Sequence, residues 1–321
     1  MPLSRSGASS RQARRLVSAW FACEDTDNID RLKPHESVVS TIGLFGQPLP
    51  QDFAQYLAEK GIGTFLLVSG EASAFDTPAH AKATIDHYLA QCLERGYGGI
   101  DLDFEHFGIE YRPAFSSFMR DLSSALHESG RRLSVCAEAF ALSRHKQPSR
   151  EHFHDPAVLG EACDEIRVMC YDHYFAPHVW LGPTSSWPWA RDAMLFWLQH
   201  VPREKLIMGL PAYGNDYDLR PGSGHGQQTE HDSPATVPGA HAVEKAWLRH
   251  ERLNVYRYLD GNEHPRLLYA SDGDSTRAHL ETVTELDLPG ICFWHYDTIT
   301  AGIWQAVEHW LDARIELASE L

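Results

Sequence analysis

Eight short runs of apolar, β-branched or aromatic residues recur along the chain: Leu16–Cys23, Ser37–Leu44, Thr64–Ser69, Gly99–Phe104, Leu133–Ala139, Glu165–Tyr171, Lys205–Leu210 and Gly290–Trp294. Many of the spacers between them carry a helical period instead. Pro78–Arg95, Arg112–Ser129 and Ser186–His200 are amphipathic, and the second sets Phe115, Phe118, Met119, Leu122 and Leu126 at helical spacing. Strands alternating with helices predict an α/β chain folded as a parallel (β/α)8 TIM barrel. That fold takes about 250 residues. The chain has 321, which leaves room for one insertion.

The surplus falls between the seventh and eighth runs. Asn215–Gly239 is a polar loop rich in glycine, proline and histidine, including Gly222-Ser223-Gly224-His225-Gly226. A helix is predicted near His241–Leu253, then a hairpin of Val255–Leu259 and Arg266–Ala270 around Asp260-Gly261-Asn262, since Asp-Gly favours tight turns. Residues 215–270 therefore form an excursion over the barrel mouth within a single domain of residues 15–321. A flexible tail is expected at residues 1–14.

Composition narrows the partners. An apolar fraction of 43% and a charged fraction of 22% fit a globular protein with a large core. A formal net charge of −16 argues against nucleic acid and anionic membranes, both polyanions. No window approaches the roughly 20 apolar residues of a membrane span. The arginines at 5, 11, 14 and 15 precede no apolar core of an export signal. The expectation is a cytoplasmic protein, or one released without a cleaved signal peptide. Six cysteines without a CxxC pair, and nineteen histidines without HExxH, give no reason to expect a metal site. Oligomeric state is left open.

Function is concentrated in Gly98-Gly99-Ile100-Asp101-Leu102-Asp103-Phe104-Glu105. In a strand, successive side chains point to opposite faces, so Asp101, Asp103 and Glu105 share one face and Ile100, Leu102 and Phe104 the other. Three neighbouring carboxyls repel one another and lose hydration when partly buried. They could also be a solvated strand end. In a (β/α)8 barrel the active site lies where strands end. Ser69, Tyr171 with Asp172, Tyr213 and Trp294 close the third, sixth, seventh and eighth runs. Each alone fits a structural role, such as a capped core or a turn. Together they mark one mouth.

These residues resemble the motifs of glycoside hydrolase family 18, the chitinase-type barrels. The fourth run is similar to that family's DxxDxDxE strand, Ser69-Gly70 to its SxGG, Met169-Cys170-Tyr171-Asp172 to its MxYD, and Gly209–Gly214 to its GxPxYG. Gly290–Trp294 is similar to the final strand, which ends on tryptophan. The resemblance covers about Leu16 to Trp310. Within the family the chain most resembles the spore-cortex-lytic N-acetylglucosaminidases, through Gly182-Pro183-Thr184, Trp187, Pro202–Leu206, Leu210–Gly214, Tyr269, Asp272 and Ser275. Two positions depart. Gly98 stands where the pattern has its first Asp, which in the family helps fix the charge of the next one. Glu71 replaces the last Gly of SxGG, next to a sugar contact at the mouth.

The resemblance implies hydrolysis of β-linked N-acetylglucosamine glycans, of the peptidoglycan or chitin type, with no metal or organic cofactor. The family is an exception to two-carboxylate catalysis: the substrate's 2-acetamido oxygen is the nucleophile. Glu105 would be the general acid, Asp103 would hold the acetamido N–H, and Asp101 would share a proton with Asp103. Tyr171 would hold the acetamido carbonyl and Trp294 would floor the sugar site. Asp172 would support Tyr171 or bind a hydroxyl, while Ser69, Tyr213 and Glu71 would line the site. The rival readings are a catalytically inactive glycan-binding barrel, and a barrel enzyme with a hard cation on Asp101, Asp103 and Glu105.

Overall fold

A computed structural model of the chain describes residues 15–22, 27–45, 49–140, 153–174, 180–223 and 226–319. The tail expected at 1–14, Cys23, and Gly224-His225 lie outside them. The elements run β1 (Leu16–Phe21), α1 (Asn28–Leu32), β2 (Thr41–Phe45), α2 (Gln51–Lys60), β3 (Gly63–Ser69), α3 (Pro78–Glu94), β4 (Gly99–Asp103), α4 (Arg112–Glu128), β5 (Arg132–Glu138), α5 (Pro156–Ala162), β6 (Glu165–Met169), α6 (Trp187–Trp197) and β7 (Leu206–Pro211). There follow β8 (Gly214–Asp218), β9 (Gly226–Thr229), β10 (His241–Leu248), β11 (Leu253–Leu259), β12 (Pro265–Tyr269), α7 (Gly273–Glu285), β13 (Gly290–Trp294) and α8 (Ala301–Ser319).

All eight predicted barrel strands form, and they close in the order β1-β13-β7-β6-β5-β4-β3-β2. Every pair in the ring is parallel. The alternation of β4 resolves into two environments. Ile100, Leu102 and Phe104 are fully buried outward, with Phe104 stacked on Phe118 of α4 at 6.1 Å between ring centroids. Phe115, Phe118, Met119, Leu122 and Leu126 of α4 are all buried, each worth about 1.5–3 kcal/mol of transfer free energy. Asp101 faces the barrel interior instead and is fully buried there. Gly70, just after β3, is required by close approach, because a Cβ at that position would stand 2.7 Å from the Phe104 ring.

The excursion departs from expectation. It is a five-stranded antiparallel sheet in the order β10-β11-β12-β8-β9. The segment His241–Leu253, predicted as a helix, gives strand β10, which turns back through residues 249–252 with Arg252 at φ 55°. Glu, Lys, Ala and Leu favour a helix locally. Pairing with β11, Lys245 opposite Tyr256 and Trp247 opposite Asn254, overrides that preference. The polar loop predicted at Asn215–Gly239 contains strands β8 and β9. The hairpin at 260–262 forms as predicted, with Asp260 Oδ1 accepting the amides of Asn262 and His264.

Asp272 and Ser275 build the capping box of α7. The Asp272 carboxylate accepts the amides of Asp274 and Ser275, and Ser275 Oγ accepts the Asp272 amide. Among the described residues no helix is long and apolar enough to cross a membrane.

Candidate active site

The predicted site residues converge on the carboxyl-terminal rim of the barrel. Register sets Ser69, the last residue of β3, beside Asp103, the last residue of β4. Glu105 lies two residues beyond β4, and Tyr171 two beyond β6. Tyr213 follows β7, and Trp294 ends β13 opposite Pro211. Charge on Asp103 acts on the Tyr171 hydroxyl, and charge on Glu105 acts on the Tyr213 hydroxyl. The two tyrosine rings meet edge to face at 6.4 Å.

The acidic row is graded from core to mouth. Asp101, deepest, receives the Trp20 indole N–H at 2.9 Å and the Arg167 guanidinium at 2.6 Å on one oxygen, Oδ2. Its other oxygen is buried without a hydrogen-bond partner, as is Oδ1 of Asp103. Burial, then the charges of Glu105 and Asp101, pushes the Asp103 carboxyl up to about 7. Asp103 is hydrogen-bonded to Glu105, and the bond favours the proton on Asp103. Glu105 is also raised, first by burial and then by the charges of Glu138 and Asp172. His106, 3.8 Å away and at φ 65°, works in the opposite direction.

Trp294 is fixed from two sides. Trp20 and Phe45 each meet it edge to face with ring centroids 5.5 Å apart. Behind it lie Cys136, Ile207 and Cys292 of the barrel interior. The indole is therefore a supported apolar surface at the mouth, suited to stack against a sugar face.

Asp172, expected to support Tyr171 or bind a hydroxyl, uses one carboxylate oxygen for three neighbours. Its Oδ1 accepts the Tyr213 hydroxyl at 2.7 Å, the Gln228 amide at 3.0 Å and the Thr184 hydroxyl at 3.3 Å. Tyr171 makes no hydrogen bond among the described residues, so its hydroxyl is left for a ligand. Burial raises the Tyr171 hydroxyl well above its ordinary range and keeps it protonated as a donor. Glu71 is exposed, two residues beyond β3.

Six contributors were not foreseen: Trp20, Phe45, Glu138, His106, Gln228 and Arg167. Arg167 carried a signal, since a buried strand reading Glu-Ile-Arg-Val-Met holds two charges on one face. Gln228 carried none, because only the folded excursion brings β9 to Asp172.

Fold and site together define a (β/α)8 barrel with an ordered carboxyl row, two tyrosines and a supported tryptophan at its mouth. The model of the glycosyl hydrolases family 18 matches residues 44–298, and the chain belongs to that family. It is 23% identical over 228 residues to an uncharacterized glycosylase, YvbX, of Bacillus subtilis, covering 70% of this chain and 65% of the relative. It is 26% identical over 218 residues to the cortical fragment-lytic enzyme of Bacillus subtilis, covering 66% and 49%. The chain thus spans about half to two thirds of these curated relatives. Among solved structures, a chitinase from Chromobacterium violaceum superposes with a TM-score of 0.80 at 22% identity, covering 92% of this chain and 99% of the other. The spore cortex-lytic enzyme SleL of Bacillus megaterium superposes with a TM-score of 0.76 at 16% identity, covering 94% and 75%.

Proposed function

We propose that this protein hydrolyses glycans containing β-linked N-acetylglucosamine, of the peptidoglycan or chitin type, by substrate-assisted retaining catalysis. The observation that carries the reading is the pairing of Asp103 with Glu105 near the Tyr171 hydroxyl, on which the Asp103 charge acts. Asp103 and Glu105 both have raised proton affinity, and the proton they share serves Glu105 as general acid once Asp103 turns to the acetamido N–H. No second mouth carboxyl with a free oxygen is needed as nucleophile when the sugar's acetamido oxygen attacks its own anomeric carbon.

In this mechanism the glycosidic oxygen leaves as Glu105 protonates it, and a cyclic oxazolinium ion forms on the sugar. Asp103 accepts the acetamido N–H and offsets the positive charge. Tyr171 donates to the acetamido carbonyl and holds it in line, while Trp294 stacks beneath the ring. Glu105, now a carboxylate, takes a proton from water, which opens the oxazolinium with net retention. The names of the relatives, cortical fragment-lytic enzyme and chitinase, support both polymer types.

Wild type and Glu105→Gln are incubated with fluorogenic N-acetylglucosamine oligomers and with purified peptidoglycan, with and without EDTA. The expected result is turnover by wild type that survives EDTA and falls by about 10²–10⁴-fold in the variant. Cleavage of sugars lacking the acetamido group contradicts the mechanism. Retained affinity without turnover in wild type identifies a glycan-binding protein instead.

A further inference from the structure

Position 98, where the family pattern has its first aspartate, is a glycine exposed at the opposite end of β4 from the mouth. Its amide bonds Thr64 O at 3.0 Å, and a Cβ there would lie 3.1 Å from the same oxygen. Nothing at 98 reaches the row. The interior holds a different device. Arg167 on β6 is fully buried, with Nη1 donating to Asp101 Oδ2 at 2.6 Å and Nη2 to Glu165 Oε2 at 3.1 Å. Glu165 in turn accepts from Arg132 at 2.7 Å, and the Arg132 side chain reaches solvent. Charges therefore alternate in a line from the outside to the catalytic strand: Arg132, Glu165, Arg167, Asp101.

We infer that Arg167 is a positioning residue that sets how many protons the acidic row carries, by holding Asp101 as a carboxylate. The inference rests on the proposed hydrolysis. A buried guanidinium is costly unless paired and hydrogen-bonded. Here the pairing is with Asp101, the fully buried carboxyl of the row. Packing reinforces it, because Arg167 lies 4.7 Å from the Phe65 ring centroid and 5.9 Å from that of Trp20. Gly43 makes the space, since a Cβ there would press to 2.8 Å on Trp20 and 3.5 Å on Arg167.

With Asp101 neutralised by arginine, the row needs only one dissociable proton, shared by Asp103 and Glu105. Without Arg167, Asp101 must either take up a proton of its own or leave a bare charge beside Asp103. Both outcomes raise the proton affinity of the row. The other ionisable groups facing it are Cys136 of β5, Cys292 of β13, Tyr171, Tyr213, Glu138, His106 and Asp172. Burial holds both thiols protonated, so neither replaces the guanidinium.

The test compares wild type, Arg167→Met, Arg167→Lys and Glu165→Gln, each checked for folding by circular dichroism. The pH profile of kcat/KM is measured on a fluorogenic N-acetylglucosamine oligomer. In parallel, the Trp20 indole N–H resonance is followed against pH in ¹⁵N-labelled protein, because that group donates directly to Asp101. The expected result for Arg167→Met is an acid limb moved up by about one pH unit or more, a tenfold change in proton affinity, with the Trp20 transition moving the same way. Arg167→Lys recovers part of the shift. A folded Arg167→Met with both transitions unmoved overturns the inference.

Should Arg167→Met not fold, Glu165→Gln decides. It leaves the guanidinium to Asp101 alone and is expected to lower the acid limb, and an unmoved limb overturns the inference. If wild type turns over no acetamido glycan, the functional reading fails, yet the Trp20 resonance still decides the role of Arg167.

Discussion

At the scale of single residues, the site trades stability for chemistry. Asp103 sits at about 7 when folded, against about 3.9 for an unperturbed aspartate. The folded state therefore binds this proton more tightly than the unfolded chain does. The stability it contributes is complete below about pH 4 and is lost as pH rises through about 7. Asp103→Asn removes the penalty at high pH and is expected to raise Tm by a few degrees at pH 8, on the order of 1–2 kcal/mol, with little gain at pH 4. Thermal melts at the two pH values check this. An equal gain at both would mean that Asp103 is not the strained member of the row.

At the scale of elements, the sequence exposed whatever depends on local period. The acid-apolar alternation of β4 and the helical stripe of α4 are each set by neighbours two to four residues apart, and both fold as they were written. The excursion was less legible, because β10 is made a strand by its pairing with β11, a relation outside its own eight residues. The same reason hid Gln228. Its strand, β9, has no apolar pattern, yet the sheet carries it across the rim to Asp172, where it donates at 3.0 Å. That contact joins the excursion to the Tyr213 side of the mouth. Gln228→Ala is expected to raise KM about two- to tenfold with a smaller change in kcat, since a positioning hydrogen bond is worth about 0.5–1.5 kcal/mol. Steady-state kinetics on a soluble oligomer measure it, and a drop confined to kcat would count against a binding role. Arg167 was visible as a letter but not as a role, because its partners Asp101 and Trp20 come from other strands.

At the scale of the whole molecule, closing the barrel turns the spaced motifs into one site. In the proposed mechanism Asp101 supplies fixed charge from the core, Asp103 and Glu105 share the working proton, and Tyr171 and Trp294 frame the sugar. Each lies in a barrel strand or within two residues of its end, so the ring of parallel pairings sets their spacing. The proposed mechanism stands on one chemical claim, that the nucleophile belongs to the substrate. It is tested most directly by the relative rate of cleavage of two aryl glycosides that differ only in carrying an acetamido or a trifluoroacetamido group at C2. Fluorine weakens the carbonyl oxygen as a nucleophile without removing it. Substrate-assisted catalysis predicts a fall in kcat/KM of about tenfold or more, at least ~1.4 kcal/mol of transition-state stabilisation. Equal rates for the two substrates would contradict it.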